Sequence, residues 1–211
     1  VMEFLFNPDK YFGEIKDKIS YKVPLLIVTI SGVLGSVNGY VVAKPMAKAV
    51  ADMMVEYGTT EEQAQMIATF TQVSTILAPF IMAFILWFVM AIILHAVSAL
   101  FNGKGEFSKT LKLSAFGYIP NIVFFPLNLY LSFETVKLLN AYGFAALNNF
   151  ELKSTSISLG IVVMLWQFIY WVFIVKNARE LEIRKAVITA LVLLILLLIP
   201  SIYSLVSTLH F

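Results

Sequence analysis

The sequence predicts an all-α fold, a polytopic transmembrane helical bundle of five spans, and three observations carry that expectation. Hydrophobic residues make up 60% of the 211 and charged residues only 13%, about half the charged share of a soluble globular chain. Mean hydropathy is +0.86, so polar groups cannot cover the surface and lipid must be much of the solvent. Stretches near 23–43, 76–98, 113–133, 157–175 and 186–206 are each apolar enough to cross a hydrocarbon core about 30 Å thick. Residues 1–211 read as a single transmembrane domain without a separate soluble part or an internal repeat.

In chain order, the first element is an amphipathic segment over 7–22. Asn7-Pro8 is a favourable helix start, and Tyr11, Phe12, Ile15 and Ile19 recur at roughly helical spacing among charged neighbours. Such a helix is expected to lie on the cytoplasmic leaflet before the chain enters the membrane at Pro24. The first span is no cleavable signal peptide, because Gly and Ser interrupt it and four lysines precede it. Beyond it, Pro45 is expected to open a second interfacial helix that ends at Gly58. Thr59 or Thr60 then caps a helix with Glu61 and Glu62 in its first turn, stopped after Phe101 by Asn102-Gly103. A short FNGKGEF connection leads to the third span. The mixed 134–154 connection is expected partly in the outer interface, and a basic KNARELEIRKA connection joins the last two spans.

Charge sets the expected direction. Eleven of the fifteen basic residues fall in the N-terminal segment and the second and fourth connections; the four others are Lys44, Lys48, Lys137 and Lys153. That asymmetry predicts a multi-pass cell-membrane protein with its N-terminus cytoplasmic and its C-terminus outside. Net charge is only +2, so no nucleic-acid partner is indicated.

Gly35 and Gly39 form a GxxxG in the first span, extended by Gly32. Small residues let a second helix backbone approach, within the chain or in a dimer, and packing within the chain is the favoured reading. Interior prolines free the carbonyls of Thr75 (Pro79), Phe116 (Pro120), Ile122 (Pro126) and Leu196 (Pro200). His95 and Asn121 lie on helices joined by a short turn and are expected to approach each other. With Asn128 they are the candidate polar cavity, against the plainer reading of helix-to-helix hydrogen bonds. No catalytic, cofactor-binding or metal-ligating set is found. Cysteine is absent, and no HExxH, GxSxG or paired carboxylate occurs, so no cofactor is expected and the chain is read as not an enzyme.

The run ALFNGKGEFSKTLKLSAFGYIP over 99–120 resembles the middle of the Yip family, five-span Ypt/Rab-interacting membrane proteins and their prokaryotic relatives. The likeness rests on Gly103, Lys104 and Gly105 in the connection, on Gly117, Tyr118 and Pro120 in the helix after it, and on the segment from Trp166 to Lys185. Asn7-Pro8 is similar to the short start of prokaryotic members. Eukaryotic members carry a long cytoplasmic region before the first span, so Rab binding and vesicle traffic are not carried over. The resemblance implies a non-enzymatic role in membrane organisation or lipid shaping. Its expected partners are membrane lipids, a second copy of the chain, or another membrane or cytoplasmic protein. The alternative is a small lipid or solute transporter, or a channel, built on the proline-kinked second and third spans.

Overall fold

The computed structural model of the chain describes residue 4 and residues 7–209, with side chains among these to residue 200 and at Tyr203. A short helix α1 (Pro8–Ile15) precedes two long antiparallel helices, α2 (Lys22–Glu56) and α3 (Glu61–Ala99). Next come α4 (Phe107–Ser114), a 3-10 turn (Ala115–Tyr118), α5 (Ile119–Val123), α6 (Phe125–Tyr142) and a second 3-10 stretch (Gly143–Asn148). Helices α7 (Phe150–Ala178) and α8 (Ile183–Leu209) complete the bundle.

Several boundaries follow from local chemistry. Asn7 Oδ1 accepts the Lys10 amide at 3.2 Å and Pro8 occupies the first turn of α1. Thr60 Oγ1 accepts the Gln63 amide at 3.3 Å, with Glu61 and Glu62 in the first turn of α3. Asn149 Oδ1 does the same for Leu152 at 2.9 Å at the start of α7. Asn102, with φ +62°, ends the α3 region in the left-handed conformation that asparagine tolerates.

Pro45 does not open a helix of its own. Helix α2 runs through it for 35 residues, about 52 Å at 1.5 Å per residue. The partner α3 has 39, about 58 Å on the same rise. Both bury alanines at and beyond the ends of the most apolar stretches, Ala43, Ala47 and Ala49 on α2 and Ala64 and Ala68 on α3. Close packing of this hairpin outweighs the one hydrogen bond that Pro45 removes. The stretch 113–133, expected as one span, is broken: Phe107–Val123 and Phe125–Asn148 meet at Phe124 with a bend of 54°. Among the described residues, α2, α3, α7 and the Ile183–Pro200 part of α8 are long and apolar enough to cross a membrane, and the bent pair raises the number up to five.

Packing is uneven along the bundle. At one end, here called the collar, α1 packs on α7 and against Phe116 of the 3-10 turn, beside the turn where Gly103 and Lys104 meet Arg179. The main core lies there, with Phe12, Leu94, Leu113, Trp171 and Ile174 fully buried. The opposite end has only a small cluster of Ala49, Leu139 and Ala146 beneath Met46, Leu138, Phe144 and Leu147.

The apolar side of α1, expected against the leaflet, is given to the protein. Phe12 has no exposed surface, and its ring stands edge-on to Phe116 at 5.4 Å and to Tyr170 at 6.1 Å. Asp9 adds an ion pair with Lys176 at 2.5 Å and a hydrogen bond from Asn177 at 3.0 Å. Burial alone would raise the Asp9 carboxyl, but these two donors outweigh it and hold the group below the usual carboxylate range.

Candidate functional site

The sequence places three asparagines in apolar helices, and the fold brings them to one cleft. Asn38 of α2, Asn121 of α5 and Asn128 of α6 line a space of about 300 Å³ between α2, α3 and the broken helix, together with Ser31, Gly35, Pro79 and Tyr118. Asn38 lies about 24 Å along the axis from Lys22 at 1.5 Å per residue, so the cleft opens within a helix long and apolar enough to cross a membrane.

Glycines and prolines create this geometry. A Cβ on Gly39 would collide with the Thr75 carbonyl oxygen, the acceptor left without its amide by Pro79. Gly35 and Gly32 also lie close to α3: a Cβ would sit 3.0 Å from Pro79 Cβ and 3.1 Å from the Phe80 ring, respectively. The three glycines therefore face α3 of the same chain. On the third wall, the Phe116 carbonyl freed by Pro120 accepts the Ile119 amide, and the Phe124 amide reaches back to the carbonyls of Pro120 and Ile122. The break is closed by tightened turns. Asn128 donates from Nδ2 to the Phe124 carbonyl at 3.3 Å, so one of the three amides serves the break itself.

Toward the collar the cleft is closed. The Tyr118 hydroxyl donates to the Ala83 carbonyl at 2.7 Å, and Trp87 Nε1 donates to the Leu111 carbonyl at 2.8 Å. Below them lies the fully packed core around Leu94 and Trp171.

His95 is elsewhere. Its Nδ1 shares a hydrogen bond with Thr110 Oγ1 at 3.1 Å and its ring stands edge-on to Phe107 at 5.3 Å. It is nine residues from Leu86, the cleft's last contact on α3, or about 13 Å toward the collar. The structure joins Asn121 to Asn128 and leaves His95 in helix packing. Asn38, a polar intramembrane residue with no assigned role in the sequence, completes the cleft instead. Its one signal there was position, one residue before Gly39 on the helix that meets Pro79.

The Yip1 domain matches residues 2–205. This chain belongs to the Yip1 domain family. An uncharacterized protein of Methanocaldococcus jannaschii is 32% identical over 124 residues, which cover 58% of this chain and 81% of that protein. No solved structure matches significantly.

Within this Yip1 domain, the residues that carry the family likeness hold the collar and the break. A Cβ on Gly105 would collide with the Ala178 carbonyl oxygen, and one on Gly117 would sit 2.6 Å from Trp171 Nε1. The Lys104 amide donates to the Arg179 carbonyl at 2.9 Å. Trp166 stands edge-on to Phe124 with ring centroids 6.0 Å apart, and Pro120 is buried. Arg179, legible in the sequence only as a basic loop residue, is 4% exposed and donates to Ser98 Oγ at 2.9 Å and to the Gly103 carbonyl at 2.5 Å. Burial lowers its guanidinium from the ordinary arginine range, yet neutral acceptors at the turn compensate the charge. Among the described residues no three His, Cys, Asp or Glu side chains are close enough to hold a metal.

Proposed function

We propose that this Yip1-domain protein is a non-enzymatic membrane-organising module that does not conduct solutes, with its collar in the cytoplasm and five crossings of the bilayer. The observation that carries the reading is the closed collar: the cleft ends against the Tyr118–Ala83 and Trp87–Leu111 hydrogen bonds and the packed apolar core below them. The five-span reading draws support from connectivity. The broken helix begins beside the Arg179 turn and ends near Met46 and Ala49, at opposite ends of α2. Basic residues concentrated at the collar support its cytoplasmic placement, where they meet an anionic leaflet. Docking of Phe12 directs the organising role to the bundle and its basic surface, in place of a helix wedged into lipid.

Flux tests this reading. Proteoliposomes should pass a fluorescent lipid and a small ion no faster than empty vesicles, and faster passage that Asn121→Ala changes would replace the module with a conduit. The absence of cysteine makes single-cysteine labelling clean. Lys18→Cys should react only from the cytoplasm and Tyr57→Cys only from outside, and the reverse pattern would overturn the orientation.

A further inference from the structure

At one corner of the collar, where the turn between α1 and α2 meets α4, cations outnumber carboxylates. The carboxylates there are already engaged: Lys109 donates to Asp17, Lys16 pairs with Glu180 at 3.4 Å, and Glu106 accepts from Ser108 Oγ at 3.3 Å. The hydrogen bond from Lys109 outweighs desolvation and, with the fields of Lys109, Lys16 and Lys112, holds Asp17 below the usual carboxylate range. Lys18, Lys22 and Lys112 form no ion pair among the described residues. Lys112 is half-buried and fixed: its Nζ donates to the Ile19 carbonyl at 3.1 Å and stands 5.4 Å from the centre of the Tyr21 ring. Both partners are neutral, so they orient the ammonium without cancelling its charge, and further N–H donors remain on it. Tyr21 is followed by Lys22, the first residue of α2, a helix long and apolar enough to cross a membrane. From there Lys22, Leu25, Leu26, Ile30 and Val33 recur on one helix face, and all five are exposed. The excess positive charge therefore sits at the head of an apolar, outward-facing strip.

We propose that this corner binds the head of an anionic phospholipid, whose phosphodiester accepts from Lys112 and Lys22 while an acyl chain follows Leu25, Leu26 and Ile30 into the bilayer. A zwitterionic head carries its own ammonium and gains less from the same lysines. A free inorganic anion has no chain to cover the apolar strip. Because Lys112 is already held by Ile19 and Tyr21, binding costs little further side-chain entropy. The site deepens the module reading by naming the lipid class its basic surface meets, and it rests on that reading for the collar's place at a membrane face.

The test uses the full chain in phosphatidylcholine nanodiscs, with trace phosphatidylglycerol or phosphatidylcholine carrying a photoactivatable group near the head end of one acyl chain. Wild type should label with phosphatidylglycerol about fivefold more than with phosphatidylcholine, the contribution of about one lysine at an anionic surface. The crosslinks should fall in 21–30. Lys112→Gln keeps a donor for Ile19 and should bring phosphatidylglycerol labelling down to the phosphatidylcholine level at an unchanged melting temperature, whereas Lys112→Arg should retain the preference. Arg184→Gln removes the same charge from the start of α8, which packs on α3 and α7, and should label like wild type. Equal labelling by the two lipids in wild type would overturn the proposal. Equal losses in Lys112→Gln and Arg184→Gln would replace the site with a diffuse basic surface. Inorganic phosphate at matched ionic strength should not displace the lipid, and displacement would assign the corner to a soluble anion instead. If Lys112→Gln fails to fold, Lys22→Gln set against Arg184→Gln decides in its place. Nanodiscs present both leaflets, so none of these outcomes depends on which way the collar faces; an error in orientation is read from the cysteine pair alone.

Discussion

The two ends of this bundle are built from similar helices and held in different ways. At the collar, aromatic rings from α1, α7 and the 3-10 turn interlock, Arg179 is tied into a glycine turn, and ion pairs join Asp9 to Lys176 and Lys16 to Glu180. At the other end the α2–α3 hairpin extends beyond its most apolar stretch on small residues, and the end of α6 is held by a cluster of three buried residues. Between them, the hairpin is closed by glycines directly against backbone, whereas the third wall is broken and leaves a polar space. A membrane supplies no hydrophobic drive between helices, so close backbone approach and interlocked rings do what burial from water does in soluble proteins. Where neither is available, a cleft remains.

The contrast is open to being broken. Phe12→Ala should have the largest effect, a loss of about 3–5 kcal/mol that frees α1, read as a fall in melting temperature in detergent and faster amide exchange over 8–15. An unchanged exchange rate would show that the collar does not depend on this ring. Gly39→Ala should follow at about 2–3 kcal/mol, since the new methyl meets the Thr75 carbonyl, which is backbone and cannot swing away. A variant that melts like wild type would mean that the hairpin has slack at its closest point.

Asp9 offers a smaller and pH-dependent test. Its folded carboxyl sits below the ordinary value of 3.8, so the pair with Lys176 stabilises fully above that value and the contribution disappears as pH falls through the lowered one. Both side chains are about a third exposed, and screening limits the effect to about 0.5–1 kcal/mol. Asp9→Asn should lower the melting temperature at pH 7 and flatten its acid dependence; an unaltered acid profile would assign that dependence to other carboxylates. At the far end, Glu134→Gln breaks an exposed i,i+3 pair with Lys137 and should leave the melting temperature unchanged. A measurable drop there would erase the contrast between the ends.

Much of this was legible from local chemistry. The Asn7-Pro8 start, the Thr60 cap and the Asn102-Gly103 stop act within one turn of chain, and each lies where its residues predict. The long apolar helices follow from composition in the same way, because a stretch of apolar residues needs no partner to exclude water. Pro45 was misread because a proline is a local signal, while the alanine packing that carries α2 through it depends on α3. The bend at Phe124 was signalled by two prolines six residues apart, but their spacing fixes neither the angle nor which carbonyls recover a donor.

The sequence by itself determined that the chain lives in lipid, that α1 has one apolar side, and that polar amides sit at hydrocarbon depth. Only the tertiary structure decided what those groups meet. Helical periodicity fixes which residues share a face, yet lipid and protein satisfy an apolar face equally well, so Phe12 could belong to either until α7 and the 3-10 turn closed around it. The same holds for the asparagines: His95 found Thr110 and Asn128 found its own helix, while Asn38 and Asn121 were left facing the cleft. Amides on separate helices meet through the bend at Phe124 and the approach at Gly39, distances that no local rule sets.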